Sequence, residues 1–487
     1  MSSVDLATQV RQTLLVGFHG TDAAAAAPLV QRLRPGGLVV LPRNVQSAAQ
    51  LADLTSDLQD VARAEGLPTL LFAADQEGGA VARLSSEAGF TDLPSAMAVG
   101  LAGDAAIARE LAALTGRELA AVGINLDLTP VLDLALDPRN TVIGSRSYGK
   151  DPDTVSAFGQ AVIYGLRSAG ILACAKHFPG HGATAVDSHL DLPRLQASVQ
   201  ELEERDLVPF RGAIVAGCAA IMTAHVISRF DPALPATLSR ITLTNVLRGR
   251  LDFRGLILTD ALEMKALAGT RVPRWQTGAE ALRAGADVLV FEGDTELIED
   301  SVAWIERSLD RDELDPSVLD AASNHLAAAR ATVGAPSGQL GTIGSITHRS
   351  LAGRVASQGI GVSDVAGRLP FSEVPVVLDV GAGGKFASVV GWSLSSAEQS
   401  VAGTGSVTIV SEESELTSDL RAQIQRLSQS GLQVVLVVLG GWQPPMNIPT
   451  DVIVVMAYDL PKGLWPLIAE RLTRARQAAA PVAVKAE

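Results

Sequence analysis

Cysteine is nearly absent from this 487-residue chain: Cys174 and Cys218 are the only two. No disulfide framework can be built on so few, which excludes a small cross-linked scaffold. Aromatic residues make up 4%, and no apolar run is long enough to span a bilayer. Positive charge is also scarce, with 39 Lys and Arg against 53 Asp and Glu and a formal charge of −14. That balance argues against nucleic acid or an anionic membrane as a partner. The opening residues, MSSVDLATQVRQTLLVGF, lack a basic segment followed by a long apolar run. They do not read as a signal peptide, so a cytoplasmic location is expected.

Hydrophobic residues are plentiful, at 47%, enough for a large core. The length exceeds that of a usual single domain, so two domains are expected. Short runs rich in Val, Ile and Leu alternate with amphipathic stretches. The runs are TLLVGF (13–18), GLVVLP (37–42), TLLFAAD (69–75), INLDLTP (124–130), ILACAKH (171–177), AIMTAHV (220–226), LILTDAL (256–262) and DVLVFEG (287–293). Helix-like segments between them include 47–65, 104–121, 154–169, 197–216 and 276–284. Alternating β and α elements predict a parallel sheet with covered faces, and eight runs fit a (β/α)8 TIM barrel. A doubly wound open sheet is the alternative. Many runs end in ionisable residues: Asp75, Lys176 with His177, His225, Asp260 and Glu292. In a barrel these strand ends converge on one face, where active sites sit.

The barrel is assigned to residues 1–335, with a Gly/Ser/Pro-rich linker at 336–349. Residues 350–487 read as a smaller α/β domain of unassigned role, with strand-like runs at 374–380, 407–412, 432–440 and 451–458. GAGGKF (381–386) lacks the glycine spacing of a dinucleotide fingerprint and is read as a loop.

The densest chemistry lies in CAKHFPGHG (174–182) and DSHLDLP (187–193), which hold three of the seven histidines. His177 and His181 are four apart, like the zinc histidines of H-E-x-x-H. Pro179 and Gly180 between them bar the helix that motif needs, which puts the pair on a loop. A metal loop with Asp187 and His189 stays open, as does a metal-dependent barrel hydrolase using Lys176, His225 and Asp260. The latter usually also needs His-x-His after the first strand, where this chain has GFHG. The other reading is glycoside chemistry, which needs a carboxylate on one face of a sugar and an acid on the other. Asp260 ends a strand, and Asp187 paired to His189 would fix the imidazole tautomer and support its charged form.

Seven stretches occur in the order seen in glycoside hydrolase family 3. They are DQEGGAVARL (75–84), IGSRSYGKDP (143–152), KHFPGHG (176–182), DSHLDLP (187–193), IMTAHV (221–226), PATLS (235–239) and LTDALEMKA (258–266). Residues 10–330 thus resemble the β-N-acetylglucosaminidase branch of that family. The resemblance implies a retaining double displacement. Asp260 matches the nucleophile and His189 the acid/base supported by Asp187, while Asp75, Arg83, Arg146, Lys176 and His177 match binders of the terminal N-acetylglucosamine. His181 and His225 fall in matching motifs and are grouped with the sugar binders. One departure is Ala80, where the family usually has Arg; altered loop packing is expected there, without loss of sugar binding.

The resemblance implies no metal and no organic cofactor. The expected partner is a small carbohydrate, from cell-wall muropeptides or chito-oligosaccharides; the oligomeric state stays open. A β-N-acetylglucosaminide phosphorylase is the nearest alternative, because a neutral imidazole would not repel incoming phosphate. A non-catalytic sugar-binding protein is the alternative of another class, disfavoured by the presence of Asp260.

Overall fold

The computed structural model describes residues 5–184, 192–333, 339–363, 376–378, 383–390, 394–395, 406–412, 415–430, 432–441 and 443–473. Each of the eight apolar runs forms a strand. These are β1 (Leu14–Gly17), β2 (Gly37–Val39), β3 (Leu71–Ala74), β4 (Leu126–Asp127), β5 (Leu172–Phe178), β6 (Ala220–Thr223), β7 (Leu256–Leu258) and β8 (Leu289–Phe291). All pair in parallel in the order β7-β6-β5-β4-β3-β2-β1-β8. A parallel bridge from Leu258 to Val288 joins the two edges and closes the barrel, in place of the open sheet.

The reason these runs make a barrel is visible in their alternation. Leu15, Val39, Leu71, Leu126, Leu172, Cys174, Met222, Leu256 and Val290 point inward and form one buried cluster. Their neighbours Leu14, Val16, Leu38, Phe72, Ala173, Ile221, Ile257 and Phe291 point outward into the larger cluster under the helices. A side-chain period of two with both faces buried demands continuous apolar runs. Leu326 and Ala329, from the helix Ser317–Thr332, join the inner cluster. Arg330 on the same helix donates to the Thr69 and Gly36 carbonyls, at 3.0 and 2.9 Å.

The helices read from sequence also form, as Ala48–Ala64, Ala105–Ala121, Pro152–Ser168 and Thr277–Ala284. The 197–216 stretch is helical in three pieces, with a wide turn at Leu202–Asp206 ahead of Pro209.

A second sheet contains β9 (Gly361–Ser363), β10 (Val376–Leu378), β11 (Leu394–Ser395), β12 (Ser406–Ser411), β13 (Gln433–Val438) and β14 (Ile453–Met456). Its order is β9-β14-β13-β12-β10-β11, parallel except for the antiparallel β9–β14 pair. Two expectations need correction here. Residues 383–390 of the GAGGKF region form a helix, Gly383–Val390, in which Phe386 is buried against Trp465. The 336–349 linker is also partly helical, because the helix Ile346–Gly359 starts inside it. Ser345 caps that helix, and His348 Nδ1 lies 2.7 Å from Glu118 Oε1 on the helix Ala105–Ala121. Glu118 also accepts from Thr91 and Gly344, so a buried carboxylate ties this segment to the barrel. Gly and Ser density hid a helix whose stability comes from this docking.

Met97, on the short helix Ala96–Ala102, and Ala135, beyond β4, share a buried cluster with Val407, Ile409, Leu436, Val438 and Met456 of the second sheet and with Tyr458 after it. One face of that sheet therefore packs on segments that connect the barrel strands.

Candidate active site

Asp75 follows β3, and Lys176 and His177 lie within β5, so the parallel register brings both strand ends together. Lys176 Nζ donates to Asp75 Oδ1 at 2.7 Å and lies 2.6 Å from Glu77 Oε1. The second Asp75 oxygen accepts from Arg83 Nη2 at 3.0 Å. Arg146, on the turn Gly144–Arg146, holds Glu77 in a fork, with Nε and Nη2 each 2.8 Å from a carboxylate oxygen. Its Nη2 also lies 3.4 Å from His177 Nε2. Six residues from separate stretches of sequence thus form one network of three cations and one imidazole around two carboxylates.

Burial shapes the electrostatics. The Lys176 side chain is 2% exposed. Burial alone would weaken its hold on the proton, but Asp75 and Glu77 outweigh that and raise its pKa above the usual lysine range. Burial would likewise raise Asp75, yet Lys176 and Arg83 hold its carboxyl well below the usual range. Glu77 is lowered in the same way, burial being outweighed by Arg146 and Lys176. All these groups are therefore charged near neutrality.

Asp133 organises the histidines. His177 Nδ1 lies 2.6 Å from Asp133 Oδ2, and the His181 amide donates to Oδ1 at 2.6 Å. The carboxylate accepts from Nδ1 and orients the ring, which turns Nε2 toward Arg146. His177 is part of β5, not of the loop expected for it; only His181 lies beyond the strand. Burial pushes the His181 imidazole down to about 4, despite the nearby Asp133 charge. The loop that carries it lies tight against the barrel: a Cβ at Gly182 would meet the Leu134 carbonyl oxygen at 1.7 Å. Only glycine fits there.

Asp260 follows β7 by two residues and is half-buried. Burial would raise its carboxyl, but the His225 and His177 imidazoles, the Ala261 amide and Lys176 together bring it below the usual aspartate value. Its Oδ1 accepts from the Ala261 amide at 2.8 Å. His225, buried beyond β6, has Nε2 2.9 Å from the Ala261 carbonyl and Nδ1 2.8 Å from Thr237 Oγ1. A carbonyl only accepts, so Nε2 donates, and His225 braces the segment that carries Asp260. Glu263 closes the same seam: its Oε1 accepts from the amides of Glu292, Gly293 and Asp294 at 2.8, 3.1 and 3.2 Å. Asp187 and His189 lie outside the described residues. Ala80 sits exposed in the turn of the hairpin Gln76–Gly78/Val81–Ala82.

The sequence reading missed Glu77 and Asp133 as functional residues. Glu77 lies inside the quoted DQEGG, two positions from Asp75, which was a usable signal. Asp133 had no such mark. Among the described residues, no group of three or more His, Cys, Asp or Glu is arranged to hold a metal ion.

A family model described as the glycosyl hydrolase family 3 N-terminal domain matches residues 6–329. The chain belongs to glycoside hydrolase family 3. This family 3 enzyme therefore acts on carbohydrate. A beta-hexosaminidase from Chromobacterium violaceum is 39% identical over 285 residues, covering 57% of this chain and 76% of that protein. The structure of a family 3 beta-N-acetylglucosaminidase from Paenibacillus sp. str. FPU-7 is similar over 97% of both chains, with 30% identity and a TM-score of 0.88. That of a beta-N-acetylhexosaminidase from Beutenbergia cavernae covers 68% of this family 3 chain and 100% of its own, with 28% identity and a TM-score of 0.62. No helix among the described residues of the enzyme is long and apolar enough to cross a membrane.

Proposed function

We propose that this enzyme is a retaining β-N-acetylglucosaminidase that removes terminal β-linked N-acetylglucosamine. Asp260 attacks the anomeric carbon, His189 protonates the departing oxygen with Asp187 behind it, and His189 then deprotonates water to release the sugar. The observation that carries this reading is the ionised, half-buried Asp260 beside the Asp75–Lys176–Glu77–Arg146 network. An anionic carboxylate is the form a nucleophile requires. The network offers fixed donors and acceptors for sugar hydroxyls, and a buried Arg83 Nε has no hydrogen-bond partner among the described residues. The names of the similar proteins support the N-acetylhexosamine class.

Two buried free thiols, Cys174 and Cys218, suit a reducing compartment, and we assign the enzyme to the cytoplasm. Muropeptides or chito-oligosaccharides are then its substrates.

The test is incubation with an aryl β-N-acetylglucosaminide, with and without phosphate, identifying the sugar product. Free N-acetylglucosamine in both is expected. A sugar 1-phosphate in the presence of phosphate would make it a phosphorylase, and no turnover would reject the reading. A 2-acetamido-2-deoxy-5-fluoro-glycosyl fluoride should label Asp260; a label on another carboxylate would remove Asp260 from its role.

A further inference from the structure

The turn that carries Arg146 is held from outside the barrel. Ser145 Oγ donates a hydrogen bond to Asp459 Oδ2, on the loop that follows β14 of the second sheet. Arg146, the next residue, grips Glu77, and Ser147 Oγ donates to the Asp133 carbonyl at 2.6 Å. Both flanking residues are therefore tied down, one to the second sheet's loop and one to the backbone of Asp133, whose carboxylate holds His177 and His181. On the same side, the Asp459 carbonyl oxygen stands 3.4 Å from where a Cβ on Gly79 would lie, next to Glu77's strand.

Asp459 is not an accidental neighbour. Tyr458 and Asp459 both have left-handed backbones, with φ of 49° and 56°. Two consecutive non-glycine residues in that region are unusual, and a tyrosine there is strained. The surroundings impose it: the Asp459 amide donates to the Leu439 carbonyl at 2.8 Å, and Tyr458 is buried in the cluster shared with Met97 and Ala135. The left-handed turn aims the carboxylate at Ser145.

We propose that Asp459 is a positioning residue for the sugar site, acting through Ser145 on Arg146, so that the second sheet helps set affinity for the substrate. The inference rests on the reading of Arg146 and Lys176 as sugar binders. Asp459 touches no reacting atom in this scheme. Its loss lets the 144–147 turn shift, which misplaces the fork on Glu77 and, through Glu77, the Lys176 ammonium. Contacts made equally in ground and transition states raise KM when lost and leave kcat nearly unchanged.

The test uses the full chain and three variants. Ser145→Ala deletes the donor without touching the strained loop. Asp459→Gly deletes the acceptor and keeps a residue at ease with positive φ. Asp459→Asn keeps a group that can bond to the hydroxyl and tolerates the left-handed backbone. S145A and D459G should each raise KM for an aryl β-N-acetylglucosaminide about tenfold, with kcat within about twofold and an unshifted melting temperature. The double variant should be no worse than either single one, and D459N should stay near the parent. Unchanged KM in S145A and D459G, additive losses in the double variant, or a kcat loss that tracks lowered melting overturns the proposal. A parent enzyme that ignores N-acetylglucosaminides but cleaves another aryl β-glycoside rejects the substrate reading alone. The same KM comparison on that glycoside then decides the role of Asp459.

Discussion

Lys176 reaches across 101 positions of sequence to Asp75, Nζ to Oδ1 at 2.7 Å, and the same ammonium lies 2.6 Å from Glu77. Removing it takes the shared cation from two buried carboxylates and leaves Asp75 to Arg83 and Glu77 to Arg146. Lys176→Met should therefore cost about 3–5 kcal/mol of stability, the range for breaking a buried ion pair from one side. Chemical denaturation would measure it, alongside loss of sugar turnover. A variant of parental stability would mean that water or Arg146 replaces the ammonium.

Asp260→Ala should drop turnover to the assay background while leaving the fold intact, because its single described hydrogen bond is to its own neighbour's amide. Azide should restore activity on an aryl glycoside with a good leaving group and yield the α-glycosyl azide, the anomer made by one displacement instead of two. A β-azide product would show that another carboxylate is the nucleophile.

His189→Ala separates leaving groups. A nitrophenolate departs with little help, whereas a sugar alkoxide needs a proton. The variant should slow a disaccharide more than an activated aryl glycoside by on the order of 10²-fold or more. Equal slowing of both would move the acid elsewhere, with His181 the next residue to test.

His181 gives a stability signature with pH. Its folded pKa is pushed down to about 4 from 6.5, so between those values the unfolded chain holds the proton that the folded one has shed. Stability should fall as pH drops through 6.5 and level off, for this residue, below about 4. A shift of that size corresponds to roughly 3 kcal/mol at most. His181→Gln should flatten this part of the pH profile of denaturation. A parallel profile in the variant would assign the slope to other groups.

The barrel was legible in the chain because each strand is a short apolar run buried on both faces, and the ends of those runs carry Asp75, Lys176, His177 and Asp260. Asp133 was not, because it lies six residues past Asp127 in irregular backbone and meets His177 and His181 only after the chain closes on itself. Glu77 sat in plain view, but its value comes from Arg146, 69 positions away. The helix Ile346–Gly359 was hidden by small residues whose use is close packing: a Cβ at Gly359 would meet the Ala98 carbonyl oxygen at 2.1 Å. Asp187 and His189 remain readings of the sequence, outside the described residues.

The three cations of the site are closed on Asp75 and Glu77 at contact distance, with Asp260 nearby. Such mutual pairing projects little field into solvent, so an approaching molecule meets mainly the formal charge of −14 on the whole chain. An uncharged chito-oligosaccharide is indifferent to that field, and its encounter rate should not respond to ionic strength. A muropeptide bearing free carboxylates is repelled at low salt and released from repulsion once the screening length falls to about 10 Å, near 0.1 M. The salt dependence of kcat/KM thus distinguishes the two proposed substrate classes: flat for one, rising for the other.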